Sequence, residues 1–94
     1  MFIPEIGHSI QFDGVNWIVV AIGEKKFEYE SDKGIFAFVN LDDMECVSVL
    51  IRVNKVKIIV DPLIPSITAD GNELLNGYGN PGLYVLLEFD KNNN

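Results

Sequence analysis

The Asp13-Gly14 pair constrains this chain more than any other feature, because it stands between two apolar runs that both alternate with period two. Two residues of this type between alternating segments specify a type I′ hairpin, since both central positions need positive φ. That turn fixes a register: Phe12 faces Val15, Ile10 faces Trp17 and His8 faces Val19, all on one side, with Gln11 and Asn16 on the other. Short Val-, Ile- and Phe-rich runs punctuated by Gly, Asp and Asn continue along the chain, so the expected class is all-β. Within 94 residues one compact core is available and no second.

Further strands follow from the same pattern. Residues 27–31 and 35–39 read as a second hairpin around Asp32-Lys33-Gly34, a three-residue loop closed by a bulge. A turn at 40–43 leads into a strand over 44–53, in which Val47, Val49 and Ile51 share a face and join Trp17 and Val19 in the core. Asn54-Lys55 turns again into 56–60. Residues 61–81 hold three of the four prolines and four of the eight glycines and read as one long loop. It has room for a single helical turn, capped by Asp70 with Glu73 at the capping-box position and ended by Gly77. A last strand over 83–89 returns to pair beside an early one, and 90–94 reads as a disordered polar tail after a single β domain over 1–89.

Six to seven strands joined by hairpins predict a small meandering antiparallel barrel or sandwich, SH3-like or OB-like. The opening phrase over 7–20 is similar to that of many SH3-like barrels, and it carries no family-diagnostic motif. Ile18, Val20 and Ile22 give the second strand an apolar reverse side. Either the sheet curls to enclose them or a second copy covers them, and a homodimer is the preferred reading.

Chemistry-bearing residues are sparse. His8 is the only histidine and Cys46 the only cysteine, which excludes an internal disulfide. His8 reads as a structural or surface side chain, Cys46 as a small strand residue, and the serines lack a nucleophile-elbow context. Asp70-Gly71-Asn72-Glu73 lacks the alternating ligands of a calcium loop. The glycine-rich run 77–82 has no lysine and no strand-to-helix setting for a phosphate. No enzyme activity, catalytic residue, cofactor or metal is therefore expected.

Charge then selects among binding functions. Fourteen acids against seven Lys and Arg give a formal charge of −7, which opposes attraction to a phosphate backbone. Glu28 and Glu30 project together from the second hairpin with Phe36 and Phe38 beside them. Carboxylates two residues apart on a strand lie roughly 6.5–7 Å apart, near two base steps, so such a row can imitate phosphates. The expected partner site comprises Glu28, Glu30, Phe36, Phe38, Asp42, Asp43 and Glu45, with Tyr78 in the long loop. The sequence reads as an acidic, non-enzymatic protein–protein interaction module that binds a basic protein and neither nucleic acid nor membrane directly. It fits an intracellular inhibitor of the immunity or phage anti-defence type, acting in the cytoplasm, the host's if viral. The alternatives are a virion structural or assembly component and, third, a small nucleic-acid-binding β-barrel.

Overall fold

The computed structural model describes residues 4–42, 45–59, 66–76 and 82–94; of these, side chains at 45–51, 66 and 73–76 are outside the description. The fold is all-β. Seven antiparallel strands form one sheet: β1 (Ser9–Phe12), β2 (Val15–Gly23), β3 (Lys26–Asn40), β4 (Glu45–Ile59), β5 (Ser66–Ala69), β6 (Asn72–Asn76) and β7 (Tyr84–Phe89). Their order is β1-β2-β7-β3-β4-β5-β6, which leaves β1 and β6 at the edges. Among the described residues no helix is long and apolar enough to cross a membrane.

The first hairpin has the register that its turn dictates. Phe12 pairs with Val15 and Ile10 with Trp17, and Asp13 and Gly14 hold φ of 55° and 78°. Trp17 is buried, donates its indole N–H to the Phe12 carbonyl at 3.2 Å and meets Phe89 edge-on. The last strand lies between early ones, β7 pairing with both β2 and β3.

The second expected hairpin does not form. Residues 26–40 are one strand, and so are 45–59, so neither Asp32-Lys33-Gly34 nor Asn54-Lys55 reverses the chain. Instead β3 and β4 pair along their lengths with paired irregularities. Glu30 faces Lys55 and Gly34 faces Val53, so residues 31–33 bulge opposite Asn54. Arg52, at φ 59°, bulges in return. Across this irregularity the alternation of side chains along β3 is reset, since Phe27 and Tyr29 pack against the same cluster as Phe36 and Phe38. Phe27 and Tyr29 before the bulge thus share a face with Phe36 and Phe38 after it. A hairpin at the same place would have divided these four rings between two faces.

The bulge also bends the strand. Eleven residues of straight strand would separate Phe27 from Phe38 by about 36 Å, yet their ring centroids lie 6.1 Å apart. The sheet folds over, and its inner face buries Phe36, Phe38, Val56, Ile58, Ile67, Tyr84 and Leu86. The opposite face of the β1–β2–β7–β3 part carries a second cluster of Trp17, Val19, Ala37, Val39, Val85 and Leu87. A further bulge at Val20 splits the apolar reverse side expected of β2. Val20 packs with the inner cluster and Ile22 with the outer one, so one chain uses both.

Two other expectations change. The described part of the 61–81 segment is a β-hairpin rather than a loop with a helical turn. Asp70 and Gly71 supply positive φ of 52° and 82°, the same turn chemistry as Asp13-Gly14. Asp70 caps no helix; its carboxylate accepts the main-chain N–H groups of Asn54 and Lys55, each at 3.1 Å, and ties this turn to the β4 irregularity. Gly77 lies outside the described residues. The polar tail is bound rather than frayed. Asp90 N–H donates to the Asn16 carbonyl, and Asn94 pairs through its carboxamide with both main-chain groups of Asn16.

Candidate functional site

Glu28 and Glu30 do project outward from β3, but the neighbouring strand answers them. The register sets Lys57 opposite Glu28 and Lys55 opposite Glu30. Ammonium and carboxylate lie 3.8 Å apart in both pairs, and Lys26 stands 3.9 Å from Glu28. These pairs are solvent-exposed and contribute little stability, yet they neutralise the row that was to imitate phosphates. Reading 54–55 as a turn hid this, because it removed both lysines from the strand beside the glutamates.

Phe36 and Phe38 are not surface anchors: both are fully buried. Phe36 meets Tyr29 edge-on at 5.7 Å, and Phe38 stacks on Tyr84 at 5.0 Å. Asp42 lies in the turn after β3, its N–H bonded to Asn40 Oδ1, and Glu45 pairs through its backbone with Asn40. Asp43 and Tyr78 lie outside the described residues. Of the expected residues that are described, Glu28 and Glu30 are exposed while Phe36 and Phe38 are buried, so these four do not form one surface.

The fold instead opens a groove where the sheet bends, of about 550 Å³, lined by Ile18, Tyr29, Asp32, Glu88, Asp90 and their neighbours. Glu88 is its centre. It sits on β7, in the middle of the sheet, directly between Ile18 of β2 and Phe36 of β3. Direct cross-strand neighbours share a face, so this carboxylate lies on the inner, otherwise apolar side, and it is half-buried there. Gly34 makes the space: a methyl group at that position would come within 2.9 Å of Glu88 Oε1. Tyr29 folds over the same spot, and its hydroxyl pKa is raised, first by burial and second by the Glu88 charge.

Glu30, Asp32, Lys33, Asp90 and Lys91 also line the groove. Asp90 is buried, and its carboxylate is already held by the Asn92 N–H at 3.1 Å and the Asn93 carboxamide at 2.6 Å. Glu88 has no hydrogen bond or ion pair among the described residues. No three His, Cys, Asp or Glu side chains among the described residues converge closely enough to hold a metal. His8 is exposed and stands 3.4 Å from Glu5. Sequence reading passed over Glu88 because in a strand reading YVLLEF a single glutamate resembles an outward-facing residue at a strand end. Its only signal was its period: it shares a face with Tyr84 and Leu86.

No known protein family matches the sequence, and comparison with curated proteins and with solved structures finds no match.

Proposed function

We propose that this chain is an acidic protein-binding module whose contact site is the groove at the β3 bend, and that its partner presents a basic segment there. The observation that carries this reading is Glu88, a half-buried carboxylate on an apolar sheet face that, among the described residues, forms an ion pair with neither Lys33 nor Lys91 of the same groove. Removing a charge from water is costly unless an opposite charge meets it, and a ligand cation supplies that charge. Net charge of −7 acts in the same sense at long range, raising the encounter rate with basic partners and lowering it with nucleic acid. A basic, nucleic-acid-handling protein blocked by this module is the specific form of the proposal. The test is affinity capture from the source cells with wild type and Glu88→Lys as parallel baits. The reading expects a basic protein retained by wild type and lost by the variant. Identical retention on both baits would remove the groove from the contact.

A further inference from the structure

We propose that the groove receives an arginine side chain from an extended segment of the protein partner, its guanidinium set between the Glu88 carboxylate and the Tyr29 ring. This rests on the reading above and commits it to one side-chain chemistry. Three features of the groove select the group.

The first is the position of the charge. Glu88 is flanked across the sheet by Ile18 and Phe36, and Gly34 opens the space its oxygen occupies. A cation that reaches it must shed water. Guanidinium is more weakly hydrated than ammonium, and its planar fork matches a carboxylate with two parallel hydrogen bonds.

The second is the aromatic wall. Tyr29 is half-buried, is fixed edge-on against the fully buried Phe36 at 5.7 Å and borders the groove together with Glu88. A ring held in this way offers a planar cation a stacking surface without ordering cost.

The third is what surrounds the centre. Lys33 and Lys91 stand on the groove's edge but neither pairs with Glu88, while Asp32 is exposed beside them. At about 550 Å³ the groove exceeds one side chain. An extended segment therefore lays its neighbouring residues along 30–33 while one arginine enters.

The experiment uses the full chain and three labelled heptapeptides in which three arginines, three lysines or three citrullines alternate with four serines. Binding is followed by fluorescence anisotropy. Citrulline keeps the shape of arginine and removes its charge. The arginine peptide is expected to bind about three- to tenfold tighter than the lysine peptide, from stacking and bidentate pairing, and the citrulline peptide more weakly than both. Glu88→Gln should bring the arginine and lysine affinities together, and Tyr29→Leu should remove most of the arginine preference while retaining salt-dependent binding. Gly34→Ala, whose methyl crowds both the Glu88 oxygen and the Phe36 ring that supports Tyr29, should weaken the arginine preference. Thermal melts of the three variants verify folding. Equal binding of arginine and lysine peptides, lost together in Glu88→Gln, overturns the guanidinium site and leaves the basic-partner reading standing. Binding that is indifferent to Glu88, or absent for every peptide, overturns both.

Discussion

Replacing Phe38 by alanine separates a core role from a surface role for the ring expected to anchor a partner. Phe38 is fully buried, stacked 5.0 Å from Tyr84 and tilted 6.1 Å from Phe27 across the fold of β3. Truncating a buried phenylalanine costs about 3–5 kcal/mol from lost transfer energy and the cavity left behind. The two ring contacts place this site at the upper end, since each aromatic pair adds roughly 0.5–1.5 kcal/mol beyond area burial. A 94-residue domain has a total stability of about 5–14 kcal/mol. One substitution thus removes a third or more of it. At about 4–8 °C per kcal/mol for a domain of this size, a loss near 5 kcal/mol should lower the midpoint by roughly 20–40 °C. Circular dichroism melts and urea titrations followed by Trp17 fluorescence read the loss, with Phe38→Leu as the milder control. A change of less than about 1 kcal/mol would refute the folded-over β3 and the core built on it.

Four further outcomes follow from the same geometry. Trp17→Ala should cost about 3–5 kcal/mol by urea titration, since the indole is buried and its N–H held, and a loss below about 1 kcal/mol would break the first-hairpin account. Asp70→Ala should cost about 1–3 kcal/mol by losing a charged acceptor for two main-chain N–H groups, and Asp70→Asn should recover part of it. Glu28→Gln with Glu30→Gln should change stability by less than about 1 kcal/mol, because both ion pairs are exposed; a larger loss in denaturant titrations would mean that they hold the strands together. Tyr29 should ionise above the ordinary tyrosine value in ultraviolet titration. Because the folded-state pKa is the higher one, its contribution to stability is complete below the ordinary value and is lost as pH rises through the folded value; Glu88→Gln should reduce the upward shift without abolishing it, burial being the larger cause.

What the sequence disclosed was local. Asp13-Gly14 fixed a register because a two-residue turn leaves no freedom, and the pairs it sets are those observed. The same chemistry at Asp70-Gly71 was read as a helix cap, since Glu73 completes a capping box equally well and nothing local decides between them. The β3 bend was illegible for a different reason. Asp32-Lys33-Gly34 satisfies a hairpin loop, and only the fit of four aromatic rings on one face favours a bulge. Gly34 illustrates this: it is required by the approach of Glu88 and Phe36, not by a turn. The expected surface around residues 28–38 changed with the bend. Phe36 and Phe38 passed from surface to core, Glu28 and Glu30 acquired lysine partners, and Glu88 gained its place from strand order that no local pattern contains.

The central claim is that the bend of β3 creates a site for a basic segment around Glu88. Heteronuclear NMR of the labelled chain, titrated with the arginine peptide, tests it most directly because it locates the contact without assuming it. The account predicts shifts concentrated at the amides of Ile18, Tyr29, residues 31–33 and Glu88, with β1 and β5 unmoved. Shifts centred on the Glu28–Lys57 strip or on the β1 edge, with Glu88 silent, would contradict it.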